Sequence, residues 1–417
     1  MNKRDFMQAL GGASLGLMFR DAALAQYAGL APAVLAGQDD FWAALRRKYR
    51  LTPDYINLEN GYYCMQSQPV LEAFIGHVRE INLEASHYLR TRQFDDKLAI
   101  RKRLAEMAGC SPDELIITRN TTESLDTVIA GFDWKAGDEA VMAMQDYGAM
   151  LDMFTLQARR YGMVNRVVSL PLDPRSDDEV VQLYENAITP KTRLLMVCHM
   201  VNISGQILPV AKVCDMAHRK GVQVMVDGAH AFAHLDFAIP DLHCDYYGAS
   251  LHKWLGAPLG AGLLYVRKDH IATLWPIYSD MSMPQDDIRK LNHTGTHPVH
   301  TDLAISDAID FHLGIGIQRK EARLRFLQHY WTDKVRGVSG IRLNTPTDPK
   351  RSCAIANVGV GAIPPADLAK VLLEKYRIWT VAIDTANMHG VRITPHLFTS
   401  TVELDALVRA LKALAAS

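Results

Sequence analysis

The chain contains 417 residues, of which 48% are hydrophobic and 22% are charged, and its formal net charge at pH 7 is −1. A chain of this length is long for one domain and is expected to form two lobes. The balanced charge gives no electrostatic reason to expect nucleic acid or an anionic membrane surface as a partner. The six cysteines lie far apart and include no C-x-x-C pair, so their spacing indicates neither a zinc site nor a disulfide framework.

The N-terminus has the three-part plan of an export signal. Lys3 and Arg4 precede an apolar run at residues 9–19, and an A-x-A cleavage pattern closes residues 1–25. The apolar run is too short to span a bilayer, which takes about 20 residues, so no stable membrane anchor is expected. Lys3-Arg4-x-Phe6 is similar to a twin-arginine signal with lysine in the first basic position. We expect a periplasmic protein; the alternative is a cytoplasmic protein with an N-terminal amphipathic helix.

From about residue 110 the chain alternates between strand and helix patterns. Short apolar runs are separated by amphipathic segments, which indicates a mostly parallel sheet with helices on both faces. In such sheets ligands bind beyond the carboxyl ends of the strands. Strands are predicted at residues 114–118, 140–144, 193–199, 222–226 and 262–266, and helices at residues 121–132, 149–161 and 209–220.

The C-terminal part is predicted to form a smaller α+β domain. A long helix over residues 304–335 leads out of the larger domain, and a strand at residues 353–358 is followed by helices at residues 365–374 and 402–415. The predicted domains are an N-terminal segment that joins the small domain, a large domain and the C-terminal small domain, at residues 26–65, 66–300 and 301–417.

Two residues carry the strongest chemical signal in the chain. Asp227 follows the strand pattern at residues 222–226, and Lys253 precedes apolar Trp254 and Leu255. A carboxylate at a strand end can keep a basic ring nitrogen protonated, and a partly desolvated lysine favours its neutral, nucleophilic form. Together they suit pyridoxal phosphate (PLP), whose aldehyde attaches to a lysine and whose ring nitrogen needs an acid. Taken singly, a loop-capping aspartate and a surface lysine are the alternatives.

Residues suited to binding a phosphate accompany this pair. Ser250 and His252 lie beside Lys253 in the sequence and can donate hydrogen bonds to phosphate oxygens. Thr121 and Thr122 follow a predicted strand and open a predicted helix, where backbone amides form an anion site. An ordinary helix cap is the alternative for this segment.

Two further motifs do not indicate a binding site of their own. The glycines of residues 256–262 follow the lysine segment and lead into a strand, whereas a dinucleotide-binding fingerprint follows a strand and opens a helix. His293, His297 and His300 are interrupted by Gly and Pro and therefore have no helical register, so no metal site is expected there.

Four separated motifs resemble the class V aminotransferase group of fold-type I PLP enzymes, and most closely its isopenicillin N epimerase-like branch. They lie in the expected order, and the resemblance extends from about residue 57 to the C-terminus. It implies an α/β fold with a mostly parallel seven-stranded sheet between helices, a smaller α+β domain, and a homodimer. The motifs are residues 118–123, 202–209, 227–230 and 252–254.

The resemblance implies a cofactor-binding role for each matching residue. Lys253 would carry the cofactor and move the substrate α-proton, Asp227 would pair with the ring nitrogen, and His230 would lie near the ring O3′. Tyr147 would stack on the ring, with a core tyrosine at a strand end as the alternative. The residues implied in phosphate binding are Thr121, Thr122, Ser250, His252 and, from the neighbouring subunit, Thr296.

The resemblance also implies where the substrate binds. Arg392 would hold the substrate α-carboxylate in a bidentate fork; a solvated surface arginine is the alternative. Asn202 would lie near the ring O3′ and the carboxylate, and Asn60 belongs to a segment that borders the site.

One departure from the family pattern narrows the expected reaction. Class V desulfurases carry a loop cysteine shortly before the carboxylate-binding arginine, and residues 383–390 contain none, so persulfide chemistry is not expected. The expected function is epimerase- or aminotransferase-type chemistry at the α-carbon of an amino acid or an amino-acid-containing metabolite.

Three alternatives remain open at this stage. An exported enzyme would be similar to the periplasmic class V relative that remodels the glutamyl group of pyoverdine siderophores. Transamination or oxidative decarboxylation of a siderophore or other secreted metabolite is therefore one alternative. C–S lyase activity is the second, and a non-catalytic binding protein with the same fold is the third.

Overall fold

The structure, a computed structural model, describes residues 26–417. The export signal predicted at residues 1–25 lies outside the described residues. The described chain forms a seven-stranded sheet, a four-stranded sheet and a two-stranded pair, with helices packed around them. Within residues 26–417, no helix is both long enough and apolar enough to cross a membrane.

The helices are numbered in chain order. They are α1 (Pro32–Leu35), α2 (Asp39–Arg46), α3 (Gln68–Glu84), α4 (Ser86–Thr91), α5 (Gln93–Ala108), α6 (Thr121–Gly131), α7 (Gly148–Tyr161), α8 (Asp177–Ala187), α9 (Val210–Arg219), α10 (Lys268–Ile271), α11 (Val299–Ile315), α12 (Ile317–Val335), α13 (Pro365–Tyr376) and α14 (Thr401–Ala415).

The strands are numbered in the same way. They are β1 (Ile56–Asn57), β2 (Leu115–Thr118), β3 (Glu139–Ala143), β4 (Val164–Val168), β5 (Thr192–Cys198), β6 (Gln223–Asp227), β7 (Tyr246–Ser250), β8 (Gly262–Val266), β9 (Ile341–Leu343), β10 (Ala356–Val360), β11 (Ile378–Trp379), β12 (Val381–Thr385) and β13 (Met388–Ile393).

The large sheet is mostly parallel, as predicted. Its strand order is β2-β8-β7-β6-β5-β3-β4, and only β8 runs antiparallel to its neighbours. Strands β2, β3, β7 and β8 are buried along their whole length, because helices cover both faces of the sheet and leave no solvated side. The predicted α/β class, with a mostly parallel seven-stranded sheet between helices, is confirmed.

The predicted strands and helices of the large sheet are all present, with each end shifted by at most one residue. Strands β4 and β7 were not predicted. Strand β4 is an edge strand whose residues are largely exposed, so it lacks a continuous apolar run. Strand β7 contains Gly248 and Ser250, which are uncommon in strands.

The long helix predicted over residues 304–335 is two helices, α11 and α12. Gly316 separates them with φ +87° and ψ +132°, a conformation that favours glycine and ends a helix. The strand predicted at residues 353–358 lies at Ala356–Val360 instead, and Cys353 precedes it in a buried position. The break at Gly316 was not predicted, because one residue of non-helical backbone does not interrupt the helical pattern of apolar residues.

A second core lies in the C-terminal part of the chain. The antiparallel sheet β12-β13-β10-β9 packs with α12, α13 and α14, and Leu58 from the N-terminal segment is buried in the same core. Strand β1 pairs with β11 in parallel, which joins the N-terminal segment to this unit. Helix α11 contributes Ile305 and Ile309 to the larger core, while the domain division at residue 300 stays a prediction.

A close approach occurs at Gly205, where the loop after β5 packs against the segment that leads into β10. Gly205 has φ +77°, and a Cβ built there would lie 2.0 Å from the backbone oxygen of Ile355, just before β10. Gly221 has a similar φ of +73° with nothing within 4 Å of such a Cβ. The two glycines therefore share a backbone conformation but differ in their surroundings.

We expect Gly205→Ala to lower the thermal unfolding midpoint more than Gly221→Ala. Both substitutions carry the cost of a left-handed residue, about 1–2 kcal/mol. Only Gly205→Ala adds overpacking, about 1–3 kcal/mol more. Differential scanning calorimetry of the two purified variants measures the difference between their unfolding midpoints. Equal midpoints would contradict the close approach at Gly205.

Candidate active site

The carboxyl ends of neighbouring strands bring the predicted cofactor residues together. Asp227 is the last residue of β6, and Ser250 is the last residue of the adjacent β7. Because β6 and β7 run parallel, both residues lie at the same edge of the sheet. Lys253 and His252 follow in the loop after β7. The structure thus places these residues where ligands bind in open α/β sheets.

Asp227 is a buried acid at this edge of the sheet. Its side chain is 4% exposed, and its Oδ1 accepts a hydrogen bond from the backbone N–H of Ala229 at 3.0 Å. Burial raises the pKa of Asp227, while this hydrogen bond and the charge of nearby Lys253 oppose the shift. A buried acid in this position fits the partner that a pyridine nitrogen requires.

Lys253 is desolvated and lies beside His230. Its Nζ is 3.0 Å from Nε2 of His230. Burial lowers the pKa of Lys253 to about 8, with Asp227 raising it and Arg392 lowering it. The neutral amine needed for attack on an aldehyde is therefore far more abundant near neutral pH than for a solvated lysine.

Trp254 sets the protonation of His230. Its indole N–H can only donate, and it lies 3.4 Å from Nδ1 of His230. Burial, followed by the charge of Lys253, lowers the pKa of His230 well below its usual value, so the ring is neutral. With Nδ1 accepting, Nε2 carries the proton and donates to the lysine nitrogen. This arrangement favours the uncharged form of Lys253.

A second lysine, Lys320, has a similarly lowered pKa but lacks the neighbours that a PLP-binding lysine needs. Burial also lowers the pKa of Lys320 to about 8. Its Nζ donates to the backbone oxygen of Trp254, in a small cavity that is lined by Cys64, His312 and His396 among others. No carboxylate lines that cavity. Lys253, with Asp227 and His230, is the lysine that has an acid suited to a ring nitrogen.

Two of the predicted phosphate residues, Ser250 and Thr121, meet at the N-terminus of α6. The hydroxyl of Ser250 accepts from the backbone N–H of Thr121 at 2.9 Å and lies 2.7 Å from the Thr121 hydroxyl. Asn120 caps the helix by accepting from Glu123 N–H at 2.9 Å. The ordinary cap is therefore present at Asn120, and it leaves Thr121 and Thr122 in the first turn, where the anion site stays a prediction.

Two further observations fit an anion in this corner. Nδ1 of His252 is buried and has no hydrogen-bond partner within residues 26–417, and burial lowers the pKa of His252 to about 4. Gly262 lets β8 approach the helix start, since a Cβ there would lie 2.6 Å from the backbone nitrogen of Asn120. The glycines that follow the lysine segment thus help to shape the corner.

Tyr147 and Thr296 lie on surfaces of the single chain. Tyr147 is 46% exposed at the N-cap of α7, so the alternative of a core tyrosine is wrong and its ring face is accessible. Thr296 is exposed in the segment before α11. Its role in a neighbouring subunit stays a prediction.

The predicted substrate side centres on Arg392. This residue is 6% exposed on β13, so the alternative of a solvated surface arginine is wrong. Its Nη1 donates to the backbone oxygen of Asn202 at 3.2 Å, and its Nε and Nη2 donate to the carboxylate of Glu59 at 3.2 and 2.6 Å.

Glu59 was missed by sequence reasoning, which singled out the neighbouring Asn60. The Asn60 side chain is fully buried and donates to the backbone oxygen of Thr394 at 2.8 Å, so it braces the segment to the end of β13. Glu59 reaches the arginine instead. The sequence did offer one signal. Glu59 directly follows the apolar Leu58, and an acidic residue in a buried segment requires a partner of opposite charge.

The position of the desulfurase loop cysteine is a tight hairpin in this chain. Strands β12 and β13 pair in register up to Thr385 and Met388, and the two turn residues Ala386 and Asn387 have φ of +50° and +63°. Burial raises the pKa of Cys64 and of Cys353 to about 12. Neither the hairpin nor these thiols offers a reactive thiolate.

The histidines before α11 are engaged with acids. Nε2 of His297 lies 3.0 Å from Oδ2 of the buried Asp302, and Nδ1 of His293 lies 3.6 Å from Asp280. Within the described part of the chain, no group of three or more His, Cys, Asp or Glu side chains is arranged to hold a metal ion.

Comparison with known proteins identifies the family. Residues 65–409 match the family model described as aminotransferase class-V. The chain belongs to the class V aminotransferase family. It is a PLP-dependent enzyme of this fold, which agrees with the cofactor and the family predicted from the sequence.

Relatives within the family include different enzymes. The chain is 32% identical to isopenicillin N epimerase of Amycolatopsis lactamdurans over 396 residues, covering 89% of this chain and 98% of the relative. It is 25% identical to a probable cysteine desulfurase of Synechocystis over 356 residues, covering 79% and 83%. A solved structure of a C-DES variant with glycine covalently linked to the PLP cofactor shares the fold, with a TM-score of 0.79, 21% identity and coverage of 88% and 99%.

The residues of this class V site fit PLP on physical grounds. Asp227 offers a buried acid, Lys253 an amine whose pKa is lowered by burial, and His252, next to Lys253 in the chain, a buried ring nitrogen without a partner among residues 26–417. When bound, PLP supplies an electron sink for charge that develops at the substrate α-carbon.

We expect covalent attachment of added PLP to the apo-protein to follow the neutral fraction of Lys253. Borohydride trapping and peptide mapping should place the label on Lys253 and not on Lys320, with a rate that rises through about pH 8. In Asp227→Asn the midpoint should move to lower pH, because the lost negative charge no longer favours the protonated amine. Label on Lys320, or a midpoint near the ordinary lysine value of about 10.4, would contradict the assignment.

Proposed function

We propose that this enzyme carries out epimerase- or aminotransferase-type chemistry at the α-carbon of an amino acid or an amino-acid-containing metabolite. The observation that carries the proposal is the position of Lys253, whose Nζ lies 3.0 Å from Nε2 of His230 and whose pKa is lowered by burial and by Arg392 and raised by Asp227. One pocket thus offers a base, an acid for the ring nitrogen and a cation for a carboxylate.

Each residue has a defined task in this proposal. Asp227 holds the ring nitrogen protonated, and Lys253 binds the cofactor and then accepts and returns the α-proton. Arg392 and Asn202 orient the substrate carboxylate, and Tyr147 covers the ring face. Thr121, Thr122, Ser250 and His252 bind the phosphate.

Two observations favour epimerase-type chemistry over desulfurase chemistry. The closer of the two curated relatives compared above is named isopenicillin N epimerase and matches the chain over nearly its whole length. The tight β12–β13 hairpin has no cysteine to accept sulfur. C–S lyase activity, which does not require that cysteine to carry sulfur away, is kept as a second candidate and is distinguished by its products.

We expect the PLP-loaded enzyme to exchange the α-proton of its substrate for solvent deuterium. Incubation with a panel of amino acids and small peptides in D₂O, followed by NMR and chiral chromatography, measures both exchange and inversion. Lys253→Ala should abolish exchange, because the base that moves the proton is lost. Exchange that persists in Lys253→Ala would refute the role of the lysine. Release of sulfide without inversion would support the lyase instead.

The proposal includes a periplasmic location and a homodimer to which the partner's residue at position 296 contributes. A signal that carries folded proteins suits an enzyme whose cofactor is inserted in the cytoplasm, and it supports tailoring of a secreted metabolite as an alternative function.

We expect the protein recovered from the periplasm to begin near Gln26. N-terminal sequencing of the fractionated protein measures this, with Lys3→Gln/Arg4→Gln as the variant that should keep the protein inside the cell. A mature protein that begins at Met1 would contradict the export signal.

A further inference from the structure

The fork of Arg392 already holds a carboxylate. Oε1 of Glu59 accepts from Nη2 at 2.6 Å, and Oε2 accepts from Nε at 3.2 Å. This is the planar two-bond pairing that guanidinium groups form with carboxylates. Both side chains are more than nine-tenths buried. A substrate carboxylate cannot occupy these two nitrogens while Glu59 remains there.

The Glu59 segment is built to keep this pair in place. Oε1 of Glu59 also accepts from the backbone N–H of Tyr62 at 2.9 Å, and Asn60 N–H donates to the Thr394 hydroxyl at 2.7 Å. Gly61 passes over the guanidinium, since a Cβ there would lie 3.0 Å from Cζ of Arg392. The segment therefore packs directly against the arginine face.

The pair lies within the active site. Arg392 lowers and Glu59 raises the pKa of Lys253, so both charges act on the lysine that holds the cofactor. The remaining guanidinium nitrogen, Nη1, points at the backbone oxygen of Asn202. Glu59 thus belongs to the same pocket as the predicted substrate residues and is not a remote surface charge.

We propose that Glu59 is a specificity-determining residue that occupies the Arg392 fork in place of a substrate carboxylate and must be displaced when a free α-carboxylate binds there. The inference rests on the proposed role of Arg392 in binding carboxylates.

This competition sets the class of substrate. A ligand that binds only after a resting contact is broken has its affinity reduced by the fraction of molecules in the open state. A small free amino acid has little else with which to offset that loss. A larger amino-acid-containing compound can offset it through contacts made by the rest of the molecule, so the site favours such compounds over small free amino acids.

The test compares two probes that differ only in the carboxylate. Glycine and glycinamide need no side-chain pocket, and the dissociation constant of each is measured by titrating the visible absorbance of the PLP-loaded protein. We expect Glu59→Gln to bind glycine about tenfold more tightly than the unsubstituted protein, equivalent to about 1.4 kcal/mol. Glycinamide should change by less than about twofold, because it has no charge for the freed fork.

Two variants provide controls for charge and for folding. Glu139→Gln removes a comparable bidentate pair, which Glu139 forms with Arg166. Glu139 is the first residue of β3, whereas the candidate site lies at the carboxyl ends of the strands. This variant should leave both dissociation constants unchanged. Glu59→Asp keeps the charge but shortens the side chain, and it should strengthen glycine binding in the same direction by a smaller factor. If the thermal unfolding midpoint shows that Glu59→Gln does not fold, Glu59→Asp replaces it in the comparison.

The outcomes separate this inference from the proposed function. If Arg392→Ala fails to weaken glycine binding, the carboxylate role of Arg392 is wrong. If Arg392→Ala weakens it while folded Glu59→Gln and Glu59→Asp bind glycine no more tightly than the unsubstituted protein, the role of Glu59 alone is overturned. Absence of glycine binding in all forms also counts against Glu59 as the competitor.

Discussion

The partial removal of Lys253 from water is the constraint on which the rest of the site depends. A buried ammonium is costly unless it is paired, so the lysine shifts toward its neutral form. Asp227 opposes that shift, and His230, held by Trp254, supports it. The balance leaves a nucleophilic amine beside a buried acid. Both properties arise from placing the carboxyl ends of β6 and β7 next to each other under a covering of helices.

The candidate site draws its residues from both cores. The large sheet supplies the lysine, the acid and the phosphate corner, while the arginine comes from β13 and its carboxylate partner from the N-terminal segment. Asn202, beyond β5, meets the arginine through its backbone oxygen. The loop at Gly205 packs closely against Ile355, a residue of the larger core that leads into β10. The proposed substrate residues therefore come from both cores, whereas the predicted cofactor residues Asp227, Ser250 and Lys253 come from the large sheet and its loops.

Features with a strong local signal in the sequence were predicted well, and those with a weak local signal or a distant partner were not. The strands of the large sheet follow from continuous apolar runs, and the lysine segment follows from local composition. Strand β4 was missed because an exposed edge has no such run, and the break at Gly316 was missed because one glycine does not disturb helical periodicity. Glu59 was missed because its partner lies 333 residues away.

The sequence by itself determined the α/β fold, the cofactor and the family, because periodicity, strand-end chemistry and ordered motifs are local properties of the chain. Tertiary structure alone decided the charge balance around Lys253, since desolvation and neighbouring charges depend on packing in three dimensions. It also decided which acid faces Arg392. A carboxylate that occupies the arginine fork is visible only once the N-terminal segment and β13 lie side by side, because the two partners are 333 residues apart in the chain.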